Sequence, residues 1–415
     1  HVERVLRTPP ARRTPYDSRR VTDYFLSTGG PDNARIPEIR DRLKAAREEI
    51  NELKDKLPSF TMAMAVFPHP EHKQSLMRVK GDYRALSDPI NPGGLSAMHP
   101  MSGGANPTRL DLAKWLVSKD NPLTPRVTVN RAWQELFGRG LVRTSEDFGT
   151  QGEKPTHPEL LDWLAAQFMN DGWSMKKLHR MIVTSATYRQ SSGTRKDLAQ
   201  TDPDNALLAR QTRLRLPAEL IRDAALSAGG ILDARIGGPS IRPFQPAGVA
   251  ELGYGGSVKW KMSEGADRFR RGLYIHFQRT TPYPQLMNFD APDSNVSCSR
   301  RRPSNTPLQS LNLLNDPVFH EAAQSLAGRV LRERQGAFAD RLELAFALTL
   351  GRTPDSVEKQ RLAGYYDQQL GILANEPTAV AKLAPPAPGV DPKEAAAWVG
   401  VSRVLLNLDE FITRE

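Results

Sequence analysis

Helix-start signals recur along this chain and leave little room for an extended sheet. Thr156, followed three residues later by Glu159, reads as a capping box ahead of Leu160, Leu161, Trp163, Leu164 and Phe168. Gly172 supplies the stop, and Ser174 caps a second helix with an apolar face of Met175, Leu178, Met181, Ile182 and Ser185. Pro217 occupies a first-turn position before Leu220, Ile221 and Ala224. Thr306-Pro307 and Asp316-Pro317 repeat the pairing of cap and proline. Further helices are expected over 337–350, 354–370 and 392–411, the last after a stiff Ala/Pro linker at 384–392.

Upstream, residues 1–35 are basic and broken by Thr-Pro, Pro-Pro and Gly-Gly, which predicts an extended arm with one short helix near Tyr24. From Ile36 the spacing sharpens: Ile36, Ile39, Leu43, Ala46, Ile50, Leu53 and Leu57 step by three and four, a narrow apolar seam on one helix. Three heptads are marginal alone, which favours packing on its own domain over an intermolecular coiled coil. FTMAMAVF at 60–67 and SLMRVKGDY at 75–83 read as strands of a small sheet or β-sandwich-like insert. Residues 231–300 are rich in Gly and Pro, with strands expected at 240–244 and 272–278. The expected fold is mainly α, a multi-helix domain with small β insertions at about 60–100 and 235–300. Four regions follow: 1–105 (arm, helix and β linker), 106–230 (helical), 231–305 (loop/β insertion) and 306–415 (helical), with 106–415 packed as one domain. Self-similarity at a 20–50-residue period is absent.

The chain's 415 residues suffice for two or three domains, and 39% hydrophobic with 25% charged residues is ordinary for a soluble protein. Nothing approaches the ~18 apolar residues of a membrane span. The N-terminus lacks a signal core and a starting Met, so the chain is expected to begin inside a longer precursor. A net charge of +10 and a pI near 9.7 raise the question of nucleic acid. However, the basic residues are scattered outside 4–20 and 300–302, and aromatics are not interleaved with them as base stacking requires. The 41 arginines against 16 lysines instead favour fixed ion pairs. An acidic partner, whether an anionic polysaccharide or an acidic protein face, ranks ahead of nucleic acid.

Chemistry-bearing residues are few. Cys298 is the single cysteine, which excludes an internal disulfide and a CxxCH haem attachment. Arg300, Arg301 and Arg302 beside it favour the thiolate, the nucleophilic and ligating form. The alternatives are a small buried hydrophobe or a disulfide with a cysteine outside this chain. No histidine pair has the i,i+4 spacing of a helical metal site, and His69 and His72 lie in a proline-rich loop, so no metal site is expected. His157, His179 and His276 are each best read as structural, and together are the candidates for acid/base work or for lining a haem edge supplied by another domain. Arg131, Arg139, Arg143, Glu146 and Asp147 surround the glycines of the 138–149 turn. Such a turn either holds an anionic group or sugar hydroxyls, with carboxylates available for proton transfer, or is an Arg–carboxylate network fixing two helices. The glycines at 237–238 and 253–256 do not form phosphate loops.

Two long runs carry a family resemblance. The stretch 121–188, from NPLTPRVTVNRAWQELFGRGLV to HRMIVTSATY, resembles the C-terminal domain of the multidomain proteins of planctomycetes that carry c-type cytochrome modules. The run 277–319 resembles the later signature of that family through Arg279, Asp290 with Pro292, Cys298, Arg300 or Arg301, Thr306-Pro307 with Gln309, and Asn315. The segment 61–83 resembles the region joining the cytochrome module to this domain, and VSRVLLNLDEFITRE resembles the family's C-terminus. The resemblance implies an extracytoplasmic (periplasmic or secreted) module without its own cofactor, beside a cytochrome c domain or subunit that carries haem c. It implies a substrate-binding or docking surface in oxidative processing of complex carbohydrate, with electrons passing to the haem. Arg131, Arg139, Arg279 and Arg300 would bind, together with Asp147 and Asp290; Cys298, Asp290, Asp147 and His157 are the catalytic candidates. The alternatives are a self-contained hydrolase using Asp147 or Asp290 with His157, or Cys298 as nucleophile, and an assembly module associating through the 36–57 helix.

Overall fold

A computed structural model of the chain describes residues 2–28, 37–57, 64–66, 75–104, 107–252 and 259–414. Its contacts separate two compact units, His1–Asn91 and Pro92–Glu415. In the first unit, the stretch expected as an arm with one short helix near Tyr24 holds two helices, α1 (Val2–Leu6) and α2 (Pro15–Thr28), and α3 (Pro37–Lys56) follows where the amphipathic helix was expected. The Thr-Pro pair at 14–15, expected to break structure, starts α2: Pro15 enters its first turn, and the Asp17 amide donates to Thr14 Oγ1 at 3.1 Å. Helix α3 covers the expected seam, with Ile50, Leu53 and Leu57 between 50% and 63% exposed. Strands β1 (Ser75–Arg78) and β2 (Leu86–Ile90) form an antiparallel hairpin with every strand residue exposed, the small sheet of the two expected alternatives; among the described residues no second layer covers it. The strand expected at 60–67 lies mostly outside the described residues, and 64–66 are not extended in a ladder.

The second unit opens with α4 (Arg109–Leu116), α5 (Leu123–Phe137), α6 (Pro158–Asn170) and α7 (Met175–Val183). The core of α5–α7 is Val129, Trp133, Phe137, Leu141, Leu161, Leu164, Phe168, Leu178 and Ile182. Trp133 and Phe137 stack at 4.2 Å. The Thr156/Glu159 capping box does not form. Pro158, with φ preset and no amide proton, takes the first helical position and makes His157 the cap residue, while Thr156 bonds the Leu141 carbonyl. Trp163, counted with the apolar positions, points outward at 56% exposure. Ser174 does cap α7, accepting from the Lys177 amide, and Gly172 stops the preceding helix at φ 69°.

Strand β3 (Leu214–Arg215) then leads into a larger helical core: α8 (Ala218–Ala228), α9 (Pro284–Asn288), α10 (Pro307–Asn315), α11 (Pro317–Glu333), α12 (Phe338–Thr349), α13 (Ser356–Leu373), α14 (Pro377–Leu383) and α15 (Pro392–Leu406). Alanines 322, 323 and 327 of α11 and 395–397 of α15 are buried in this core, where small side chains permit close helix approach. Trp398 is fully buried among Phe338 and Tyr366, at ring distances of 5.1 and 5.8 Å. Strand β4 (Thr413–Arg414) returns to pair with β3. The second β insertion is reduced to isolated bridges, Ile241 with Ile275 and Asp233 with Arg270, and the expected strand at 272–278 begins as a 3-10 turn. Guanidinium groups take the place of a ladder there. Buried Arg270 donates to the carbonyls of Pro239, Arg235 and Gly237, and Arg222 donates to those of Arg268 and Arg270. Among the described residues, no helix is long and apolar enough to cross a membrane.

Candidate binding site where the two helical cores meet

Both long sequence runs converge where α5 faces the 290–304 loop. The turn after α5 is built on glycine. Gly138 ends the helix at φ 79°, and a side chain there would collide with Leu214. A Cβ on Gly140 would lie 2.5 Å from both Asn130 Nδ2 and the Val142 carbonyl. Buried Asn130 occupies that space, donating to the Val142 carbonyl at 3.0 Å and accepting from its amide at 2.8 Å. The turn is thereby pinned to α5, and Arg139 projects between the two glycines.

Arg139 meets a segment that the sequence reading passed over. Residues 201–211 fold around two of their own side chains: Asp202 accepts from the amides of Ala206 and Leu207, and Asn205 exchanges bonds with Arg210. This places Asp204 3.4 Å from Arg139 and 3.1 Å from Arg143. The charge of Arg139, then the Arg143 hydrogen bond, hold the Asp204 carboxyl below the usual carboxylate range. Trp133, Phe137, Arg139, Arg143, Asp204 and Arg210 line a cleft of about 140 Å³. Apolar Trp133 and Phe137 belong to the lining, Arg139 and Arg143 both pair with the single lining carboxylate, and Glu153 lies 3.8 Å from Arg143. Asp204 and Arg210 carried no motif. The only available signal was the Asp-Pro-Asp-Asn turn chemistry at 202–205.

The second structure at this junction is the loop carrying Cys298. Asp290 stands at φ 62° and closes the loop by accepting from the Ser304 amide at 2.6 Å and its hydroxyl at 2.8 Å. Gln309 joins the clasp at 3.4 Å and accepts from Arg215 at 2.7 Å. Loop residues then bind both cores. Arg300 donates to the Arg143 carbonyl at 3.3 Å and lies 3.8 Å from Glu146. Arg301 forks onto Glu219 at 2.7 and 3.0 Å. A buried polar chain continues the link, from Asn130 through Ser145 to Gln134, which donates to the Ser299 carbonyl at 3.4 Å. Burial pushes the Glu219 pKa up, but the Arg301 bonds outweigh it and leave Glu219 below its ordinary value. Glu219 in turn raises the Arg301 pKa.

The residues singled out from sequence separate into distinct roles here. Arg139 lines the cleft, and Arg300 is a tether beside it. Arg131 and Arg279 are exposed and have no side-chain partner among the described residues. Asp147 shapes its own turn, accepting from the Gly149 amide at 2.7 Å. His157 lies at the start of α6 with Nδ1 3.0 Å from Thr156 Oγ1. Cys298 is exposed, its thiol 3.3 Å from the Arg300 carbonyl. His179 is exposed on α7, and His276 packs 6.3 Å from Trp260. Among the described residues, no hydrogen bond or ion pair joins any two of Cys298, Asp290, Asp147 and His157.

A family model, PSD1: Protein of unknown function (DUF1553), matches residues 108–366. No curated protein and no solved structure matches the chain.

Proposed function

The chain belongs to this family of unknown function, and from that premise we propose that it is a binding module whose ligand is an acidic saccharide held in the 139–210 cleft. The carrying observation is the composition of that cleft: Arg139 and Arg143 share Asp204 in a lining that also holds Arg210, Trp133 and Phe137. Two guanidinium groups sharing one carboxylate retain donors for an incoming anion, and apolar rings in the lining favour the CH faces of a sugar ring. The resemblance to cytochrome-associated proteins adds the setting: an extracytoplasmic module beside a haem domain in oxidative processing of complex carbohydrate. A single exposed cysteine offers no pair of thiols for covalent haem attachment. In this reading haem c therefore resides on an upstream domain or a partner, and these residues bind and orient without a redox step.

Calorimetric titration of the chain with a uronic-acid oligosaccharide, its neutral counterpart and inorganic sulfate tests the reading. The acidic saccharide is expected to bind preferentially. Arg139→Ala with Arg143→Ala is expected to weaken it roughly tenfold or more, as loss of charge-assisted hydrogen bonds does. Absence of binding, or binding indifferent to the double variant, would overturn the proposal.

A further inference from the structure

Helix α3, in the first unit, bears a different kind of surface. Ile50 is 50%, Leu53 55% and Leu57 63% exposed, so the described part of the seam is uncovered. The 3–4 spacing continues upstream in sequence through Leu43 and Ile39, which places one apolar residue at every a and d position of the helix. Charge is segregated around this stripe. The e and g positions beside it hold Arg40, Arg42, Arg47, Lys54 and Lys56 against a single acid, Glu49. The outer positions reverse the sign, with Glu38, Asp41, Glu48, Glu52 and Asp55 against a single base, Lys44. A helix that merely displayed solvated charge would have no reason to sort its signs in this way.

We propose that the seam of α3 docks an amphipathic helix of another protein that carries acidic residues at its own flanking positions. A second copy of this chain fits poorly. In a parallel pair Arg42 of one copy opposes Arg47 of the other while Glu49 opposes Lys54, so the flanks give no net attraction, and an antiparallel pair opposes flanks that are basic at five of six positions. An acidic-flanked helix turns each of those repulsions into an attraction while covering the exposed isoleucine and leucines.

The test uses the whole chain and two synthetic three-heptad peptides with the same leucine core, one flanked by Glu and the other by Lys. Fluorescence anisotropy is expected to show the Glu peptide binding at least roughly tenfold more tightly, with the difference shrinking as salt rises. Ile50→Asp with Leu53→Asp is expected to abolish that binding while helical circular dichroism holds, because both side chains are already exposed. Equal affinity for the two peptides, or none for the Glu peptide, overturns the proposal. So does a chain that light scattering finds dimeric and that the double variant makes monomeric, since a second copy would then cover the seam.

Discussion

Single residues at the core junction act mostly by holding turns in place, and their charges follow from that role. Glu219 is the clearest case. Its folded-state pKa is lowered, so its contribution to stability is present above its unfolded value and lost as pH falls through the folded value. With side chains 27% and 39% exposed, the Glu219–Arg301 pair is worth about 0.5–1 kcal/mol after solvent screening. Glu219→Gln is therefore expected to lower stability by that amount at neutral pH. In urea titrations the difference from the parent chain should close as the pH drops below about 4.5, the ordinary glutamate value. A difference that persisted or widened in acid would contradict this assignment. Asp147 and His157 illustrate why residue type alone was a weak guide: both have the chemistry of acid/base groups, and both are engaged with their own local backbone or neighbour.

At the scale of elements, the loop from Asp290 to Ser304 behaves as one unit closed by one side chain. Asp290 supplies both the left-handed backbone, which Asp tolerates better than most residues, and the acceptor for Ser304. Asp290→Ala removes both and is expected to cost about 1–3 kcal/mol in chemical denaturation. Asp290→Asn keeps the backbone preference and is expected to cost less. Trypsin should also cleave the Ala variant faster after Arg300 and Arg301, since the clasp restrains that stretch. Unchanged cleavage would show that Arg300 and Arg301 hold the loop without it. The helices were legible at this scale because capping and proline chemistry act within a few residues: Ser174, Asp316 and Thr306-Pro307 mark real starts. The exceptions have local causes too. Pro158 displaced the Thr156 cap by occupying the first turn, and Thr14-Pro15 began a helix where a break was expected.

In the 235–275 stretch of the second unit, buried arginines stand where strands were expected. Arg222 is fully buried, with its two terminal nitrogens each 2.6 Å from a carbonyl of the 268–270 segment. Burial pushes its pKa down, while nearby Tyr283, Asp223 and Asp316 counter that shift. The same burial raises the Asp316 pKa. Arg222→Met would strand the buried Arg270 carbonyl and the half-buried Arg268 carbonyl and remove positive charge from beside Asp316, an expected loss of about 2–5 kcal/mol in chemical denaturation. A loss below about 1 kcal/mol, the worth of a surface ion pair, would show that the insertion holds without it.

The mainly α character, the family signature and the α3 seam were determined by sequence alone, because capping, proline geometry and apolar periodicity act between residues a few positions apart. Only the tertiary structure decided that Arg139 meets Asp204 and that Asp290 closes on Ser304. It likewise decided that the 235–300 region is tied by guanidinium groups rather than strands. Those contacts join residues 14 to 65 positions apart, and their energy comes from charge and hydrogen bonding of side chains with groups that no local spacing brings near.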